Sequence, residues 1–219
     1  TRRARCRGGS CSDGDHVLGV DVDDAHPAPV ADRNDIGASI VVLENRALLA
    51  VDPGARGCGV VLFRGGALAA CAYVRNPAEV TADVGRAASA GAMALAVQRW
   101  AVGLVDDLAV EWPRVYATAI RRGASRGDPN DLLPLAGVDA ALAALLASAR
   151  CSSYAPFEWK GQMSKDAMAE RIMSRLAEGE FALLEAACDN AGAKAHNIVD
   201  AVGIGLHHLG RLAPRRALA

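Results

Sequence analysis

The stretch from Leu48 to Phe63, LLAVDPGARGCGVVLF, constrains this chain more than any other. Two aliphatic, β-branched runs flank a polar centre that begins Asp-Pro-Gly. Runs of this length read as buried strands, and the Pro-Gly between them as a tight turn. One carboxylate, Asp52, closes the first run. An unpaired carboxylate among apolar residues is costly, so the partners of Asp52 have to come from elsewhere in the chain.

The neighbouring segments supply a sheet. SIVVLENRALLAV and GCGVVLF have strand composition, with Asn45 and Arg46 as a turn within the first. GALAACAYV follows Arg64-Gly65-Gly66, a hairpin signal between apolar runs. The Ala-rich stretch from Pro77 to Leu104 predicts a long helix. DDLAVEWP predicts a short buried strand stopped by Pro113. A polar loop, RRGASRGDPN, leads to a helix over DLLPLAGVDAALAALLASA, with Asp131 at its start. CSSYAP predicts a last strand. SKDAMAERIMSRLA predicts an amphipathic helix capped by Ser164, and AHNIVDAVGIGLHHLGRL the final helix. The expected fold class is therefore α/β: a mixed sheet made of a three-strand meander plus parallel strands, flanked by helices. Residues 1–36 mix Arg, Gly, Ser, Asp and Pro without a period and predict a flexible N-terminal extension, leaving residues 37–219 as the folded domain. Cys6, Cys11, His16 and His26 in that extension fit no zinc-finger spacing.

Composition narrows the function. The chain of 219 residues is 52% hydrophobic but only 4% aromatic, so its core is built from Ala, Val and Leu. A net charge of -1 gives no global basic signature, and a nucleic-acid partner would be met by local basic patches. No membrane span is expected, because no apolar run reaches about 18 uncharged residues. The six cysteines are scattered and no secretory leader is evident, which suits a reduced cytoplasmic compartment. Cys58 and Cys71 are expected to pack as small hydrophobes, and Trp112 to be buried in the core.

Two further acids share the setting of Asp52. Glu111 ends LAVEWP, and Asp200 lies among Ile198, Val199, Ala201 and Val202. If the two strands are neighbours, Asp52 and Glu111 emerge at one end of the sheet, and the last helix can lay Asp200 across it. Converging carboxylates repel one another unless a cation neutralises them. Mg²⁺ or Mn²⁺ suits such oxygen donors, and paired ions of this kind hydrolyse phosphodiesters.

Five segments together resemble the RuvC-type Holliday-junction resolvases, of RNase H-like fold, and their phage-type relatives in particular. They are VDPGARGCGVVLF, VEWP, GDPNDLLPLAGVDAAL, PFEWKGQMSKDAM and HNIVDAVGIGLHHLGR, in that order, and the similarity runs from Ala47 to Arg211. The resemblance implies that Asp52, Glu111 and Asp200 hold divalent metal. It also implies endonucleolytic cleavage of four-way or related branched DNA, in a bacterial or phage-infected cell. Two matched cuts in a symmetric junction suit a C2 homodimer. The chain departs from the family at one point. The family's fourth ligand, an Asp or His one turn before the last Asp, is replaced by Asn197, with His196 beside it. Asn197 either ligates through its carbonyl oxygen or caps the helix; His196 either ligates or shuttles protons. Lys160, Lys165, Arg121, Arg122 and Arg126 are candidate contacts to the phosphate backbone. A noncatalytic junction binder and an RNase H-like nuclease of another substrate remain as alternatives. An actin-like ATPase, which also uses Asp-Pro-Gly, would need a second glycine-rich phosphate loop and a much longer chain.

Overall fold

The computed structural model describes residues 46–78, 84–113 and 132–212. The first strand, β1 (Ala47–Asp52), is buried on both faces until its last residue, which explains its unbroken apolar run. β2 (Gly57–Arg64) returns antiparallel beside it, and β3 (Ala67–Arg75) pairs antiparallel with β2. The Gly65-Gly66 turn joins them with both residues at positive φ, at 56° and 80°, a conformation glycine adopts without a Cβ clash.

The chain then forms helix α1 (Arg86–Trp100), strand β4 (Asp107–Glu111), helix α2 (Leu133–Leu145) and strand β5 (Arg150–Tyr154). β4 runs parallel to β1, and β5 parallel to β4. The sheet order is β3-β2-β1-β4-β5, a meander extended by two parallel strands as the sequence predicts. α1 is shorter than the predicted helix. It ends before Val102 and Gly103, whose φ values of 26° and 110° cannot continue it. Four helices complete the domain: α3 (Pro156–Trp159), α4 (Lys165–Met173), α5 (Glu178–Ala191) and α6 (Ala195–His208), with a short 3₁₀ turn, Gly192–Lys194, leading into α6. Ser164 caps α4, its hydroxyl accepting from the Ala167 N–H at 3.3 Å. The sequence reading overlooks α5.

Strand alternation sorts the core into two layers. Leu48 and Ala50 face α6, together with Trp159, Met168, Ile172 and Leu184 from α3, α4 and α5. Leu49 and Val51 face the other way, against Met93 and Val97 of α1 and Val138 and Leu142 of α2. Cys58 is buried in this second layer, and Cys71 is partly buried against the first. Among the described residues no helix is long and apolar enough to cross a membrane. The N-terminal extension expected from the sequence, Arg121, Arg122, Arg126 and Asp131 lie outside the described residues.

Candidate active site

Parallel pairing brings the first two acids together. Val51 is in register with Val110, so Asp52 and Glu111, the next residue of each strand, leave the sheet side by side. By alternation both carboxylates point to the face covered by α6. That helix brings Asp200 over the same edge, and its approach depends on one glycine. Gly59 lies opposite Asp52 on β2, and a Cβ there would collide with the Asn197 carbonyl at the start of α6. The backbone of α6 thus rests on the sheet where Asp52 ends.

A fourth group closes the arrangement. α3 carries Trp159, which is 2% exposed, into the layer beneath α6, where its ring lies against Gly203. The indole N–H donates to Glu111 Oε2 at 2.9 Å. The next residue, Lys160, directs its ammonium between two acids, 3.2 Å from Glu111 Oε2 and 3.0 Å from Asp200 Oδ2. The same Nζ stands 4.4 Å from the centre of the Trp159 ring, a cation–π contact. Lys160 thus stands inside the acid cluster, where the sequence suggests a backbone-contacting loop. Its partners lie 49 and 40 positions away, at a separation no local pattern can signal.

Electrostatics follow from this packing. Burial pushes the Asp52 carboxyl well above the usual range, and repulsion from Glu111 and Asp200 adds to it, with Lys160 pulling partly back. Glu111 is raised by burial, against the opposing pull of Lys160 and the Trp159 N–H. For Lys160, burial works against the charge, but Glu111 and Asp200 outweigh it and the ammonium is held protonated above its ordinary range. The cluster therefore carries more negative than positive charge and strains against it.

The other candidates sit as follows. Asn197 is the third residue of α6, and Lys194 precedes the helix, so Asn197 is not its cap. His196 is exposed, and its Nδ1 donates to the Ala193 carbonyl at 3.1 Å. Lys165 is the exposed first residue of α4. Trp112 is 45% exposed just past β4, where the sequence predicts burial; Trp159 is the buried indole. His207 and His208 serve packing, with His208 Nδ1 2.9 Å from the Tyr154 hydroxyl. Among the described residues no three His, Cys, Asp or Glu side chains stand as a ready metal-holding group.

Two residues escape the sequence reading. One is Trp159, whose bond to Glu111 spans 48 positions. The other is Asp139, a fully buried acid in α2. The signal for it is present: an acid in VDAALAALLA shares its helix face with Leu142 three residues on.

No protein-family model and no curated protein matches the sequence. Solved structures do match the fold. The yeast mitochondrial Holliday junction resolvase Ydc2 superposes with a TM-score of 0.52 at 13% identity, covering 83% of this chain and 89% of its own. T. thermophilus RuvC, in complex with a Holliday junction substrate, superposes with a TM-score of 0.49 at 18% identity, covering 75% of this chain and 93% of its own. The mixed sheet, its strand order and its flanking helices give this chain an RNase H-like fold, similar to that of Ydc2.

Proposed function

We propose that this protein is a divalent-metal-dependent endonuclease that cleaves four-way or related branched DNA. The supporting observation is the convergence of Asp52, Glu111 and Asp200 at one sheet edge, where the Lys160 ammonium pairs with Glu111 and Asp200, within an RNase H-like fold. The donor set fits a hard cation. Its carboxylates repel one another, and the site already accepts one positive charge, that of Lys160. Asp52, Glu111 and Asp200 would hold Mg²⁺ or Mn²⁺. Bound there, the metal supplies Lewis acidity and an activated water for phosphodiester hydrolysis.

The chain's own residues have separate tasks. The Trp159 N–H fixes one oxygen of Glu111 and so orients that carboxylate toward its neighbours. Lys160 offsets part of the negative charge of the cluster when no metal is present, and its long side chain lets the ammonium swing toward substrate phosphate when the acids take a cation. Lys165 and the arginines at 121, 122 and 126 are proposed backbone contacts that carry no sequence information. A symmetric junction is cut twice, so the proposed form is a homodimer.

Asn197 favours a second reading, junction binding without cleavage, because an amide replaces an acid one turn before Asp200. Labelled four-way junction and linear duplex, each incubated with Mg²⁺, Mn²⁺ or EDTA, separate the two. Paired cuts in the junction, lost in EDTA, establish the nuclease. A shifted but intact junction under all three conditions establishes the binder.

A further inference from the structure

Among the buried acids outside the proposed site, Asp139 differs from the others in having no partner among the described residues. It lies on the sheet-facing side of α2 with Val138 and Leu142, and is 3% exposed. Among the described residues neither of its carboxyl oxygens has a hydrogen-bond partner. The other buried acids do have partners: Asp107 pairs with Arg46 and Arg150, and Glu180 with Arg211. An acid buried without one is disfavoured, and such a group calls for a specific explanation.

The surroundings of Asp139 point in one direction. Burial is the larger influence on its carboxyl, raising it to about 8, and repulsion from Glu111 is the second. Asp139 in turn repels Asp52. Among the described residues no cation offsets it, since Lys160 lies with Glu111 and Asp200, on the face covered by α6. Behind the strand ends, then, sits a buried acid that becomes negative above about pH 8, with no neutralising group among the described residues. In front of them, Asn197 supplies no charge where an acid would be expected.

We propose that Asp139 is an electrostatic positioning residue for the cation site: when ionised, it supplies negative field from behind Glu111 that tightens divalent-ion binding without touching the ion. The inference rests on the metal-dependent reading above. It attributes the unpartnered burial to a partner at longer range, a cation held by Asp52, Glu111 and Asp200. Coulomb attraction through a poorly screened interior acts over such a span, where surface charges would be screened.

Thermal melting of the full chain with increasing Mn²⁺, at a pH above 8, tests it in wild type, Asp139→Asn and Asp139→Leu. Without metal, both variants should melt at or above the wild-type temperature, since an uncompensated buried charge has gone. The Mn²⁺ concentration for half the maximal stabilisation should rise about fivefold or more in both. Asp139→Asn keeps the shape, so a folded protein is available even if Leu packs badly. An unchanged half-saturating concentration in Asp139→Asn would overturn the inference and leave the nuclease reading intact. A wild-type melting temperature indifferent to Mn²⁺ would overturn both.

Discussion

Lys160 and Asp200, 40 positions apart in sequence, form an ion pair 3.0 Å long at the mouth of the sheet, and Glu111 shares the same ammonium at 3.2 Å. One flexible cation thereby stands amid acids proposed to hold a metal. Lysine and metal then compete for the same oxygens.

That competition is measurable. Lys160→Met keeps most of the side-chain length and removes the charge. Without metal, the remaining acids repel unopposed, and stability should fall by about 2 kcal/mol, less than for a fully buried pair because all three groups are partly exposed. The Mg²⁺ concentration needed to restabilise the variant should fall severalfold. Melts in EDTA and in graded Mg²⁺ check both signs. Equal Mg²⁺ dependence in the two proteins would show that the ammonium and the metal do not share a site.

Trp159 tests orientation apart from packing. Trp159→Phe retains an aromatic ring in the buried layer but deletes the N–H that holds Glu111 Oε2. A lost hydrogen bond to a charged acceptor is worth about 1.5–3 kcal/mol. Junction cleavage should fall roughly tenfold or more if that energy positions the carboxylate. Junction affinity, read by gel shift, should stay within a few fold. An unaltered cleavage rate would reduce Trp159 to a core residue.

Gly59 tests how α6 is placed. With no room for a Cβ beside the Asn197 carbonyl, Gly59→Ala must push the start of α6 away from β2. The shift separates Asp200 from Asp52 while most of the core survives. Far-UV circular dichroism should remain native-like as cleavage drops at least tenfold. Native activity in this variant would mean that the helix start yields without consequence.

Much of this organisation is legible in the sequence, for reasons the structure makes plain. Asp52 and Glu111 end strands buried on both faces, so each stands as a lone acid after an apolar run, and parallel pairing follows from the intervening helix. The cap at Ser164 is equally local. Lys160 and Trp159 are not legible in this way. Their partners come from β4 and α6, and EWKG looks the same whether it meets solvent or acids. α5 is hidden because part of its surface, including Phe181 and Leu183, is both apolar and exposed, which blurs the helical period. Asp139 was visible but is easily taken for an ordinary polar residue of an Ala-rich helix; only its missing partners set it apart.

Asp139 also predicts a pH dependence. Its carboxyl titrates near 4 in the unfolded chain and is raised to about 8 in the fold by burial, then by Glu111. The folded chain therefore keeps a proton that the unfolded chain has released. Stability should fall as pH rises between those values, by at most about 1.4 kcal/mol per pH unit from this group, and level off above the upper one. Asp139→Asn removes that part of the slope. Urea unfolding in EDTA at about pH 5 and about pH 8 measures it, and identical slopes in the two proteins would show that the carboxyl is not desolvated as described.

The central claim is that the acids at the strand ends carry out metal-dependent cleavage. Asp52 is the one whose carboxyl is most strongly perturbed by burial and by its neighbours, and no basic group pairs with it among the described ion pairs. The most direct measurement is the initial rate of four-way-junction cleavage in Mg²⁺ for wild type and Asp52→Asn, beside junction binding in EDTA. Wild type should cleave, Asp52→Asn should lose about a hundredfold or more of that rate, and both should bind the junction within a few fold of each other. Cleavage by Asp52→Asn at the wild-type rate, or wild-type cleavage undiminished in EDTA, would contradict the central claim.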